Sequence, residues 1–258
     1  MLSVVVTSND ATPIIRDEAR RFAKKYGLPW HHARMANTSC YLLEFSDQGV
    51  CLLDAEHPAE SGYTVDFSDI DLRTGPGNLS RKQPLAKAIG KDTQTVVDAT
   101  AGLGHDAFLL ACMGFEVMAV ERSPVIGRLL QDGLRRALES PVHAERLKDR
   151  LQVTIGDAKA FLESMKTKPD VVYVDPMYPP KRKQSALAKK HIRLVRDIVG
   201  NDEDAESLAQ AALRIAQRRV VVKRPNHAPP LLDEPDLQFK GKLVRYDVYL
   251  KHESSRPS

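Results

Sequence analysis

The sequence predicts an α/β protein: a mostly parallel sheet with helices on both faces, finished by an antiparallel hairpin and preceded by a small α+β unit. Three observations predict it. From residue 95 onward, short apolar runs alternate with helical stretches, the pattern of strands joined by crossover helices. Beyond Lys223 the alternation stops and two strand-like runs follow, joined through Gly241. Ahead of residue 75 the order is a strand, a helix and a hairpin, and Gly75-Pro76-Gly77-Asn78 separates the two patterns. The expected units are residues 1–75 and 76–258.

In the first unit, residues 2–7 read as a strand. Asp10-Ala11-Thr12-Pro13 caps and starts a helix to about Tyr26, stopped by Gly27 and Pro29. Residues 41–45 and 50–54 flank Ser46-Asp47-Gln48-Gly49, a hairpin signal. Residues 79–89 read as a short basic helix ending at Gly90. In the second unit, strands are expected at 95–98, 116–121, 151–155, 171–175 and 219–223. Helices are expected at about 107–113, 124–139, 158–165, 185–199 and 205–217. The closing hairpin pairs 237–240 with 244–250.

Composition sets limits. A chain of 258 residues suits one large domain or one domain with a smaller cap. Hydrophobic content of 42% and charge of 28% fit a soluble globule. No apolar run approaches the roughly 20 residues that span a bilayer. Residues 1–7 lack a basic, then apolar, leader pattern, so no signal peptide is expected. The three cysteines have no metal-like spacing, and their odd number favours reduced thiols and a cytoplasmic setting. His31, His32 and His57 lack partners at metal spacing, so no metal is expected.

The most informative motif is Asp175-Pro176-Met177-Tyr178 after the apolar run 171–174. Open α/β sheets bind ligands at the carboxyl ends of such strands. Asp175 can accept a hydrogen bond from an exocyclic amine, Pro176 stiffens the turn, and Tyr178 offers a face on which a base can stack. Core packing is the other reading of Tyr178.

The first strand of the second unit ends in Asp98-Ala99-Thr100-Ala101-Gly102-Leu103-Gly104-His105-Asp106-Ala107. Gly102 and Gly104 let backbone approach a ligand, and the next helix offers free N–H groups. Glu121, at the end of the next strand, is placed to hold both ribose hydroxyls of an adenosine. The alternative for Glu121 is a surface acid paired with Arg122. Gly102-x-Gly104-x-x-Ala107 also fits the dinucleotide fingerprint, which leaves NAD and S-adenosylmethionine open. Asp98 and Asp106 favour the second, because they suit a cationic sulfonium ligand and oppose a pyrophosphate. A plain helix-start acid is the other reading of Asp106. Asp157 with the Ala158 amide can read an adenine edge, and Asp157 can also cap the following helix.

Net charge is a mild +4. Its distribution says more. Lys181, Arg182, Lys183, Lys189, Lys190, Arg193 and Arg196 form a run with no acid, read as a phosphate-facing patch or as a solvated helix face. Lys223 and Arg224, leaving the fifth strand, can contact RNA phosphates or cap the sheet.

Together, the 98–106 loop, Glu121-Arg122, Asp175-Pro-Met-Tyr178 and Val220-Val-Val-Lys-Arg-Pro225 resemble the RsmJ family of ribosomal RNA small-subunit methyltransferases, over about residues 81–250. The resemblance implies a Rossmann-like class I methyltransferase fold with a central seven-stranded sheet. It implies transfer of a methyl group from S-adenosylmethionine to the N2 amine of a guanosine in 16S rRNA. It places cofactor contacts on His105, Asp106, Glu121, Arg122, Asp157, Ala158 and Asp175. The commoner amino-methyltransferase turn is Asn/Asp-Pro-Pro-Tyr/Phe; here Met177 replaces the second proline. The rivals are an adenine-N6 or protein-glutamine methyltransferase, an NAD-dependent oxidoreductase, and a non-catalytic RNA-binding module.

Overall fold

A computed structural model of the protein describes residues 3–9, 11–32, 40–57, 62–74, 77–177, 198 and 204–251. Tyr178, Lys181, Arg182, Lys183 and all but residue 198 of the expected helix at 185–199 lie outside them, as do Asp10 and Gly75-Pro76. Among the described residues, no helix is long and apolar enough to cross a membrane.

Among the described residues, the strands form two sheets. The smaller has the order β2-β1-β3-β4, from β1 (Ser3–Thr7), β2 (Trp30–His31), β3 (Cys40–Ser46) and β4 (Gly49–Asp54). β1 runs parallel to both β2 and β3, and β3 and β4 form the hairpin. Helix α1 (Pro13–Tyr26) buries Ala19 and Ala23 and stops at Gly27, whose φ of 65° is the left-handed cap that glycine accepts most easily. Thr12 sits at the N-cap without capping, and its hydroxyl donates to Asp47 instead.

The larger sheet uses β5 (Thr95–Asp98), β6 (Glu116–Glu121), β7 (Leu151–Ile155), β8 (Val171–Val174), β9 (Arg219–Pro225), β10 (Leu237–Lys240) and β11 (Val244–Leu250). Their order is β10-β11-β9-β8-β5-β6-β7, and the antiparallel pairings are the two that β11 makes, with β10 and β9. This is the mostly parallel seven-stranded sheet expected. Strand order reverses between β5 and β8, so their carboxyl ends flank a crevice. The helices are α2 (Pro84–Ile89), α3 (His105–Cys112), α4 (Pro124–Glu139), α5 (Pro141–Leu147), α6 (Ala158–Ser164) and α7 (Ala205–Ile215).

Two details differ from expectation. Helix α2 begins at Pro84 rather than near Leu79. The residue before a proline is driven out of the helical region, and Gln83 has ψ 148° while its side chain ties back to the carbonyls of Gly77 and Asn78. Helix α5 was not expected at all; it follows directly on the Ser140 end of α4.

The first sheet packs on α4 through β4, and the segment that follows it packs on α3 and α4. Phe67 stacks on Phe108 of α3 with centroids 4.2 Å apart, a contact worth roughly 0.5–1.5 kcal/mol beyond its burial. The buried Asp132 carboxylate accepts from Arg135 and Arg136, and Arg136 also donates to the Val65 carbonyl. A single hydrophobic cluster runs from Val6 and Phe45 through Phe67 to Phe108 and Leu130.

Candidate active site

The ends of β5, β6, β7 and β8 converge on one cavity of about 300 Å³. Its wall includes Asp98, Gly102, Gly104, His105, Asp106, Glu121, Arg122, Asp157, Ala158, Asp175 and Pro176, and also Lys223. Every expected cofactor residue therefore lines this one cavity.

The glycine loop is shaped for close approach. Gly102 and Gly104 have φ of 52° and 79°, the left-handed region that side chains rarely adopt. A Cβ on Gly104 would meet Leu130 Cδ1 at 2.3 Å, whereas the space over Gly102 is open, its nearest atom 3.9 Å away. Glu121 is not a surface acid paired with Arg122. It is buried, and its two carboxylate oxygens accept from the Gly102 amide at 2.8 Å and the Ser123 amide at 2.7 Å. Arg122 instead pairs with Asp204 at 3.0 Å across the cavity mouth. Asp157 caps α6, accepting from the Ala160 amide at 2.8 Å, while still lining the cavity. His105 stands exposed at the rim with its ring edge toward Phe67, centroids 5.9 Å apart.

The same lining carries a network of charged and phenolic groups. Lys223 Nζ is 2.7 Å from Asp106 and 3.0 Å from Asp175. The buried Tyr173 hydroxyl donates to Asp106 at 2.5 Å. The Asp175 amide donates to Thr100 Oγ1 at 2.6 Å, which ties the turn after β8 to the glycine loop. Burial lowers the Lys223 pKa, but Asp175 and Asp106 outweigh it and raise it well above the ordinary ammonium value. Burial also raises the Tyr173 phenol, with Asp106 and Asp175 adding to the effect, so it stays a donor. Asp98 is 1% exposed, and burial pushes its carboxyl up to about 8; the Thr100 amide opposes this, and Asp106 and Asp175 reinforce it.

Lys223 and Arg224 require correction. Both were expected to face RNA. Lys223 is drawn inward by two carboxylates, and Arg224 is 6% exposed with its Nε donating to the Pro229 carbonyl. Successive strand residues point to opposite faces; here one face turns Lys223 into the cavity and the other buries Arg224. His57 also has partners it was not expected to have: its Nδ1 lies 3.0 Å from Asp54, and Glu56 is nearby. Sequence reasoning missed Thr100, Tyr173, Asp204 and Leu208 on the cavity wall. The last two belong to the start of α7, which reaches the cavity from across the sheet and carries no strand-end signal.

The donor set fits a cationic adenosyl ligand. Among the described residues, six acids line the cavity (Asp98, Asp106, Glu121, Asp157, Asp175, Asp204) against Arg122, Lys159 and Lys223. Arg122 and Lys159 are both directed to Asp204, at 3.0 and 3.7 Å. The surplus of carboxylates opposes a pyrophosphate and favours a sulfonium.

Comparison with known proteins agrees. Residues 22–251 match the family model described as "Putative SAM-dependent methyltransferase". Ribosomal RNA small subunit methyltransferase J of Shewanella amazonensis is 43% identical, with 82% of this chain and 87% of that protein covered. The protein of the same name from Thioalkalivibrio sulfidiphilus is 42% identical, with 93% and 95% covered. A solved SAM-dependent methyltransferase from Neisseria gonorrhoeae superposes with a TM-score of 0.71 at 28% identity, covering 97% of each chain.

Proposed function

The chain belongs to the SAM-dependent methyltransferase family that includes ribosomal RNA small subunit methyltransferase J, and on that premise we propose that it methylates the exocyclic N2 amine of a guanosine in 16S rRNA. The observation that carries this reading is the Asp175–Pro176 turn, tied by Thr100 to the glycine loop so that amine acceptor and cofactor wall share one cavity. The NAD-dependent reading of the glycine loop falls with the family assignment. A ribosomal substrate implies a cytoplasmic setting.

In the proposed roles, Glu121 holds the ribose, the Gly102–Gly104 backbone and His105 line the amino-acid end with Asp98 and Asp106, and Arg122, Asp157 and Ala158 border the adenine. Bound here, S-adenosylmethionine supplies a methyl carbon whose bond to a sulfonium breaks with the electron pair left on sulfur. Guanine N2 is a poor nucleophile because its lone pair is delocalised into the ring. Asp175 and a carbonyl near Pro176 accept its N–H groups and draw it toward tetrahedral geometry. The lone pair then aligns for in-line displacement, so catalysis is mostly positioning and electrostatics. The amine proton becomes acidic as the new C–N bond forms and leaves to Asp175 or to water. Tyr178 stacks on the splayed base, a contact worth roughly 1–3 kcal/mol. Lys181, Arg182 and Lys183 contact the RNA backbone. This chemistry calls on no metal ion.

Two outcomes follow for cofactor binding. Glu121→Ala weakens S-adenosylmethionine binding in calorimetry, by about tenfold or more if the charged hydrogen bonds are worth about 1.5–3 kcal/mol; unchanged affinity would remove the ribose assignment. Asp98 gives a pH dependence. Its folded pKa of about 8 lies above the ordinary carboxylate value. The folded state therefore holds a proton that the unfolded chain releases, and this group's contribution to stability falls between about pH 4 and pH 8 and is level above. A cationic ligand favours the ionised form, so affinity rises with pH through about 8, with proton release on binding visible in buffers of different ionisation enthalpy. Asp98→Asn abolishes that dependence; a profile identical to wild type would exclude Asp98 as its source.

A further inference from the structure

We infer that the outer face of α1 is a second RNA-contacting surface, one that holds backbone phosphates of the substrate while the target base occupies the cavity. The inference rests on the ribosomal RNA reading and adds a role for the first unit of the chain.

Charge is the first observation. Helix α1 contains Arg16, Arg20, Arg21, Lys24 and Lys25 against Asp17 and Glu18, a net of three positive charges where the whole chain has four. With the basic run between Lys181 and Arg196, these two segments hold more positive charge than the entire chain's net. The remainder is acidic, so the cations are concentrated rather than scattered over the surface.

Geometry is the second. Ala19 and Ala23 are buried, and Ile15 and Phe22 pack against the core, which fixes the opposite face of the helix outward. Arg20, Arg21, Lys24 and Lys25 are all exposed on that face, and among the described residues none is paired with a carboxylate. Glu18 is neutralised elsewhere, by Arg128 of α4 at 2.5 Å. Asp17 is the acid left on the basic face. A helix of 14 residues is about 21 Å long, enough to follow several consecutive phosphates of one strand.

The third observation is aromatic. The Arg20 guanidinium lies 4.8 Å from the Trp30 ring centroid, and Lys25 sits 4.8 Å over Tyr26. Half-buried Trp30 is followed by exposed His31 and His32. Cations interleaved with flat rings suit single-stranded nucleic acid, whose charge and base faces both need partners.

Position is the fourth. The Glu18–Arg128 pair fixes α1 against α4 about one turn from that helix's Ser123 cap, next to Glu121 and Arg122 of the cavity wall. This places one end of the α1–α4 contact on the helix that starts at the cavity wall.

The test is the full-length variant carrying Arg20→Gln, Arg21→Gln, Lys24→Gln and Lys25→Gln, compared with wild type. Three quantities are measured: calorimetric S-adenosylmethionine affinity, the salt dependence of binding to small-subunit RNA, and methyl transfer to the same RNA. Expected are an unchanged cofactor affinity, a salt slope reduced by about 3 from the loss of about four phosphate contacts, and a KM for RNA raised about tenfold with kcat retained. An unchanged slope and KM, with cofactor affinity intact, would overturn the inference. Failure of the wild-type enzyme to label small-subunit RNA at all would instead overturn the functional reading beneath it.

Discussion

Asp175→Ala lowers the rate of methyl transfer about a thousandfold while the fold persists. General acid–base and positioning groups are typically worth about 10²–10⁴ in rate, and Asp175 serves both tasks in this account. Its side chain is 37% exposed, and Lys223 retains Asp106 as a partner when it is removed. Single-turnover labelling of RNA with saturating cofactor measures the chemical step, and the melting temperature reports the fold. Asp175→Asn keeps a carbonyl acceptor without the charge and falls between the two. Activity near wild type for the Ala variant would take Asp175 out of the mechanism.

Lys223→Met has the largest expected effect on stability together with a loss of rate. The ammonium lies between Asp106 and Asp175, with Asp98 and the Tyr173 phenol adjoining the same network. Removing it leaves two carboxylates facing each other without a counter-ion. Breaking a fully buried ion pair costs roughly 3–5 kcal/mol; the partial exposure of Asp175 reduces this to about 2–3 kcal/mol. For a chain of this size that corresponds to a melting point lower by about 4–12 °C. Asp106→Asn in the same background restores part of the loss, because it removes one of the opposed charges. An unchanged melting point would mean that solvent already screens the pair.

The architecture was legible because the strands are short apolar runs with clear punctuation. The strands at 95–98, 116–121 and 151–155 and both strands of the closing hairpin fall where the pattern put them. The small sheet was harder. β2 is two residues long, and its parallel pairing with β1 depends on the chain's return after Gly27 rather than on any local period. The cavity wall was legible because its acids and glycines stand at strand ends. The network that links its side chains was not. Asp106, Tyr173 and Lys223 meet only through the sheet register, which sets Asp98 beside Tyr173 and Tyr173 beside Val221. Nothing local in the Val-Lys-Arg-Pro stretch tells which face of β9 carries the cation inward. The division near residue 75 stands as a proposal that the two sheets are two units. Their hydrophobic core is continuous across α3 and α4.

The most direct measurement is to incubate the protein with radiolabelled S-adenosylmethionine and small ribosomal subunits that lack the modification, then digest the RNA to nucleosides. The account predicts label in N2-methylguanosine alone, lost with Asp175→Ala. Label in a methylated adenosine, or in ribosomal protein with none in RNA, would contradict it.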